Sequence, residues 1–184
     1  MSEPLDEQIA AFLSRLEAGK GSRPRTIETY ARTLRELRGY LETQGLPLDA
    51  KRTTLVGLRG YLAQLFDSHA SATLARKVAT LRSFFRYLVR RGVIPQSPAA
   101  TLRAPKSPRP LPRFLTIDEA KRVVEAPAED VARDERLALR DAAMLELLYG
   151  AGLRVSELST LRLGNVDLSA RSVRVMGKGQ KERI

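Results

Sequence analysis

The sequence contains no cysteine and a single histidine, His69. These absences exclude disulfides, thiolate metal sites, multi-histidine metal centres and a nucleophilic triad that needs its own imidazole. His69 reads most simply as a loop residue. No stretch approaches the roughly 18 consecutive apolar residues of a membrane span, and the opening MSEPLDEQ is acidic where a signal peptide is basic and then apolar. The expectation is a soluble, unexported, cytoplasmic protein. What is present fits a folded chain: 43% hydrophobic and 29% charged residues over 184 positions, enough for one or two domains with a sizeable core. The charge is lopsided. There are 32 Lys and Arg against 21 Asp and Glu, a net +11, well above what solubility asks of a small domain. Residues 1–110 carry 19 basic and 9 acidic side chains, whereas 111–184 carry 13 and 12. A polyanion partner for the first half follows.

Apolar positions repeat at helical spacing four times before residue 93. The first set is Leu5, Ile9, Phe12, Leu13 and Leu16, ended by Gly19. A second helix opens at Ser22 with Pro24 in its first turn and carries Ile27, Tyr30, Leu34, Leu37 and Leu41 to a stop at Gly45. Thr53 or Thr54 caps a third, with Leu55, Leu58, Leu62 and Leu65, and Gly57 and Gly60 weaken it by about 1 kcal/mol each relative to alanine. The fourth starts near Ser71 and runs through Leu74, Val78, Leu81, Phe85 and Leu88 to Gly92. From Val93 to Pro112 prolines alternate with small and basic residues, which reads as a linker. Thr116 with Glu119 then forms a capping box for a helix through Val123 and Val124, and Leu137 to Tyr149 makes another. Tyr149 shares an apolar stripe with Leu145 and Leu148 and is expected to be buried. After Gly150 and Gly152 a short helix covers Val155 to Leu161. Ser172 to Met176 alternates like a strand, GKGQK is its turn, and Glu182 to Ile184 starts the return.

Two arrangements of charge stand out. Arg82, Arg86 and Arg90 fall at i, i+4 and i+8 on the fourth helix, opposite its apolar side, and form a cationic stripe suited to phosphates. Arg25, Arg32 and Arg35 lie on the outer face of the second helix. Read alone, Arg154 is a surface arginine paired with Glu157 at i+3, and Lys178 belongs to a solvent-exposed Gly-Lys-Gly turn.

Three segments taken together resemble the tyrosine site-specific recombinases of the phage integrase family, most closely the Xer type. They are GLRVSEL at 152–158, VRVMGKGQKERI at 173–184, and the basic helical region with TIETYARTLRELRGYL and LRSFFRYLVRRG. The resemblance covers essentially the whole chain. It implies a mainly α fold: a helical SAM-like N-terminal core-binding domain over residues 1–108, a linker at about 93–112, and the first part of a mixed α/β catalytic domain over 113–184, the two domains forming a C-shaped clamp. The implied chemistry is metal-independent DNA breaking and rejoining, in which a tyrosine attacks the scissile phosphate and forms a 3′-phosphotyrosyl link, with no cofactor.

On the family pattern Arg154 and Lys178 are catalytic. Arg154 would face the charged non-bridging oxygens, which a guanidinium fork meets two at a time, and Lys178 would protonate the leaving 5′-oxygen. Glu157 would orient them, and Lys181 and Arg183 would be backbone-contact or surface charges. Positions matching DNA contacts of the family are Arg25, Thr26, Thr29 and Arg32 on the second helix and Thr73, Arg76 and Lys77 on the fourth, beside Arg82, Arg86 and Arg90. The family's nucleophilic tyrosine and its His-x-x-Arg pair have no counterpart here, so the chain is expected to be an incomplete portion that binds DNA but is inactive alone. The implied partners are double-stranded DNA and, in the complete protein, a recombinase tetramer on two DNA sites, of one recombinase or of two paralogous ones. Chromosome dimer resolution and segregation is the implied role. The alternatives are a phage or transposon integrase fragment, a non-catalytic DNA-binding or regulatory module, and a helical protein-interaction domain.

Overall fold

In a computed structural model of the chain, residues 4–19, 24–106, 111, 114–129, 134–177 and 182–184 are described. They form seven α-helices and four two-residue strands, a mainly helical fold, in two units, residues 1–109 and 110–184.

The first unit is built from α1 (Leu5–Ala18), α2 (Pro24–Thr43), α3 (Leu55–Ala63) and α4 (Ser71–Arg90). Their apolar stripes converge on one core. Leu5, Ile9 and Phe12 of α1 meet Leu34, Leu37 and Leu41 of α2, Leu58 and Tyr61 of α3, and Val78, Leu81, Phe84, Phe85 and Leu88 of α4. Burying such side chains contributes about 1.5–3 kcal/mol each. Phe12 sits at the aromatic centre, with ring centroids 5.5 Å from Phe84, 5.3 Å from Tyr87 and 6.0 Å from Tyr30. Of the two candidate caps of α3, Thr54 holds the position, its Oγ1 accepting from the Gly57 N–H at 3.2 Å. α2 and α4 end alike. Gly45 and Gly92 adopt φ of +63° and +69°, which lets the Leu46 N–H reach the Leu41 carbonyl at 2.8 Å and the Val93 N–H reach that of Leu88 at 3.0 Å.

The segment read as a linker begins as part of this core. Ile94, Ala99 and Leu102 are buried in it. Prolines stop helix and sheet, but the apolar residues between them still join the helical core, so a proline-rich texture here marks irregular backbone rather than a free tether.

The second unit opens with α5 (Ile117–Glu129). The Thr116 N–H donates to Glu119 Oε2 at 2.7 Å and the Glu119 N–H to Thr116 Oγ1 at 3.3 Å, the expected capping box. α6 (Glu135–Gly150) packs on α5 and is capped by Asp134, whose Oδ1 accepts from the Arg136 and Leu137 N–H groups. α7 (Val155–Ser159) follows. β1 (Val166–Asp167) pairs antiparallel with β2 (Ser172–Val173), and β3 (Val175–Met176) with β4 (Glu182–Arg183). The single strand expected over 172–176 is therefore split at Arg174. Its first half joins β1, which alternation could not reveal in two residues, and its second half joins β4. Arg174 itself donates its N–H to the Asn165 carbonyl at 2.8 Å.

No residue of α6 is fully buried, and this corrects the expectation for Tyr149, which is 60% exposed. The stripe with Leu145 and Leu148 is real, but both leucines are only half-buried. Tyr149 lies at the last turn, beyond the reach of that packing.

Candidate functional site

In the second unit a cluster of charges is assembled by one turn. α6 ends at Gly150, and Gly152 takes φ +59°, a left-handed conformation that suits glycine. The turn directs Leu153 into the interior and starts α7 at Arg154, which places Glu157 three residues on, beneath it. The Glu157 side chain is only 4% exposed and accepts three hydrogen bonds, from Arg183 Nη2 at 2.7 Å, the Arg154 N–H at 2.8 Å and Arg154 Nη1 at 2.7 Å. Arg183 Nη2 also donates to the Gly152 carbonyl at 3.2 Å.

The Arg183 bond foremost, then the Arg154 N–H, lower the Glu157 carboxyl to about 2, against the opposing pull of burial. The carboxylate is thus charged throughout the neutral range. Its depressed value stabilises the fold above the ordinary carboxylate range, and this contribution is lost as pH falls from about 4.5 through about 2. The Arg154 side chain stays 64% exposed while Nη1 is held. Pairing with Glu157 and presenting a face to an anion are therefore compatible, because one edge of the planar fork is anchored and the remainder points to solvent. Lys178 and Lys181 lie outside the described residues. The arms on either side of them are the paired β3 and β4, with Arg174 Nε 3.2 Å from Glu182 Oε1. Sequence reasoning missed Arg183, whose contact is with a residue 26 positions away. No local spacing signals that partnership.

In the first unit the solvent face of α4 carries Arg76, Arg86 and Arg90, and that of α2 carries Arg25, Thr26 and Arg32. Thr29 is half-buried and bonds the Arg25 carbonyl at 2.7 Å, and the half-buried Thr73 accepts from Arg76 Nη2 at 3.2 Å. Arg25, Thr29 and Arg32 line one surface depression with Glu28. Arg86 and Arg90 line another of about 490 Å³ together with Arg15 and Arg91. These last two arginines were not anticipated. They come from α1 and from the residue after α4, so a one-helix wheel does not show them.

Two expected phosphate contacts lie off the solvent face and have partners within the first unit. Lys77 is buried, its ammonium paired with Glu36, which also accepts from the Tyr61 hydroxyl at 3.0 Å. Spacing could have shown this, since Lys77 stands three after Leu74 and four before Leu81, inside the buried stripe. Arg82 donates to the Leu102 carbonyl and is half-buried, which ties α4 to the segment that follows it. Among the described residues no helix is long and apolar enough to cross a membrane, and no acidic or histidine cluster could hold a metal ion.

Residues 9–92 match the phage integrase N-terminal SAM-like domain, and residues 113–184 match the phage integrase family. The chain is 42% identical over 180 residues to the tyrosine recombinase XerC of Myxococcus xanthus, which covers 98% of this chain and 58% of that protein. It is 41% identical over 183 residues to the tyrosine recombinase XerC of Pelobacter propionicus, covering 99% and 59%. This chain thus spans under two thirds of the length of these relatives. Among solved structures it is similar to a lambda integrase tetramer bound to a Holliday junction, with a TM-score of 0.75, 23% identity, and coverage of 99% of this chain and 50% of that one. It is also similar to the XerH site-specific recombinase bound to a palindromic difH substrate in a post-cleavage complex, with a TM-score of 0.65, 20% identity, and coverage of 85% and 47%. At these identities the two structures bear on the fold.

Proposed function

The chain belongs to the phage integrase family, the tyrosine site-specific recombinases, and from that membership we propose that its first unit binds duplex DNA and its second supplies part of a phosphoryl-transfer site. The observation that carries the reading is the half-anchored Arg154. Its guanidinium is held at one edge by Glu157 and open at the other, the arrangement needed to meet the non-bridging oxygens of a scissile phosphate as charge builds on them. Lys178 is assigned the proton for the leaving 5′-oxygen and Glu157 the orientation of Arg154. The tyrosine attack belongs to a full-length recombinase, working as a tetramer on two duplexes in the way that lambda integrase is tetrameric on a Holliday junction. The Xer relatives favour chromosome dimer resolution over integration of a mobile element.

DNA binding is tested by salt. With Arg25, Arg32, Arg76, Arg86 and Arg90 each neutralising a phosphate, the affinity of the 184-residue chain for duplex should fall with a log–log salt slope of roughly −4 to −5. Arg86→Ala with Arg90→Ala should flatten that slope by roughly 2 and weaken all sequences alike. A salt-independent affinity removes the reading. The same chain should form no denaturation-resistant adduct with nicked duplex. Of its five tyrosines, Tyr30, Tyr40, Tyr61 and Tyr87 belong to the first unit, and the Tyr149 hydroxyl meets no hydrogen-bond partner among the described residues that could activate it. An adduct mapped to any of the five contradicts the assignment.

A further inference from the structure

We infer that Arg183 is a positioning residue, which fixes the β3–β4 hairpin, and with it the segment bearing Lys178, to the turn that presents Arg154. The inference rests on the assignment of Lys178 and Arg154 above and goes beyond it, since the bonds that Arg183 makes are to Glu157 and the Gly152 carbonyl. Among the described residues β3 and β4 hold two residues each, and a lone two-stranded hairpin is marginal at best in water. Something else must hold it. Arg183 stands opposite Val175, which is buried, so the base of the hairpin is seated in the second unit by an apolar residue on one arm and a charged one on the other.

Arg183 Nη2 bridges two acceptors, the Glu157 carboxylate at 2.7 Å and the Gly152 carbonyl at 3.2 Å. Glu157 in turn holds both the N–H and the guanidinium of Arg154. One buried carboxylate therefore joins the arginine's turn to the β3–β4 pair, and a carboxylate with charged partners on both sides is a stiff joint. Arg183 follows Lys178 by five residues in the sequence, and β3 and β4 flank the lysine on either side, so loosening this anchor should blur the lysine's place more than the arginine's. Arg154 keeps its own two bonds to Glu157.

The test uses chemistry that only the lysine step feels. In the full-length recombinase carrying these residues, Arg183→Gln should slow single-turnover cleavage of nicked duplex roughly tenfold or more. It should approach the unsubstituted rate when the bridging 5′-oxygen is sulfur, because a thiolate leaves without a proton. Lys178→Ala is the reference and should show the same rescue. Slowing by Arg183→Gln that is equal on both substrates, or no slowing, overturns the positioning role while leaving Lys178 in place. Lys178→Ala that sulfur does not rescue overturns the underlying assignment and the proposal with it. A second measurement does not depend on activity: in the 184-residue chain, Arg183→Gln should speed amide exchange over 175–183 while leaving that of α6 unchanged. Unaltered exchange in the hairpin overturns the anchor.

Discussion

Replacing Arg154 by alanine in the full-length recombinase should slow strand cleavage about a hundredfold or more while leaving duplex affinity within a few-fold of the unsubstituted protein. The two halves of this expectation have separate origins. Removing a preorganised cation aimed at developing charge costs the transition state and not the ground state, so the loss falls on the chemical step. The fold survives because Arg154 supports Glu157 through its backbone N–H as well as its guanidinium, and alanine keeps the former. Arg183 also remains, on the same oxygen Oε2 as that N–H, so only the bond to Oε1 is lost. Arg154→Lys is the informative companion. It retains the charge but loses the fork that lets one edge bond Glu157 while the other faces a phosphate, so it should fall between alanine and arginine. Single-turnover cleavage of nicked duplex, with binding followed by fluorescence anisotropy, measures both halves. Equal losses of affinity and rate would place Arg154 among simple phosphate contacts.

The helices, and most of the core, were legible because burial repeats along a helix with a period that a sequence displays. Leu34, Leu37 and Leu41, or Leu81, Phe85 and Leu88, announce the face they turn inward, and Gly45 and Gly92 announce where their helices stop. What the sequence did not display were partnerships in which a charged or irregular residue has a distant neighbour. Lys77 looked like one more cation of a basic helix, yet its place in the apolar stripe commits it to the interior and to Glu36, 41 residues earlier. Arg82 is similarly taken by a backbone carbonyl 20 residues on. At the candidate site the motif pointed to Arg154, and the i+3 pairing to Glu157, while Arg183 was read as a backbone-contact or surface charge. Two-residue strands leave no alternation to read, which is why β1 went unseen and the strand around Arg174 was drawn too long.

Glu36→Gln should destabilise the first unit by about 2–3 kcal/mol, and Lys77→Met by no more than about 1 kcal/mol, although the two changes break the same ion pair. The asymmetry comes from burial. The Lys77 side chain is 6% exposed and that of Glu36 38%. Taking away the carboxylate strands an ammonium in the interior, whereas taking away the ammonium leaves a carboxylate that water reaches and that still accepts from Tyr61. The estimate for Glu36→Gln sits below the 3–5 kcal/mol of a fully buried pair because of that partial exposure. Burial pulls the Glu36 carboxyl upward, but the Lys77 and Tyr61 bonds and the lysine's charge outweigh it and leave the group below its ordinary value. Burial first, and then the Glu36 charge, push the Tyr61 hydroxyl up, so it stays a donor across the working pH range. A carboxyl lowered in the folded state lends stability above its unfolded value, lost as pH falls, so the penalty of Glu36→Gln should shrink as the pH drops below about 4.5. Urea unfolding of the 184-residue chain with Tyr149→Phe, followed by tyrosine fluorescence, measures this selectively, since the remaining Tyr30, Tyr40, Tyr61 and Tyr87 all report on residues 1–109. The double variant should lie closer to native stability than the sum of the single ones, because it removes the stranded charge along with its partner. Equal penalties for the two single changes, or a Glu36→Gln penalty that grows in acid, would show that Lys77 is solvated in solution and available to a phosphate after all.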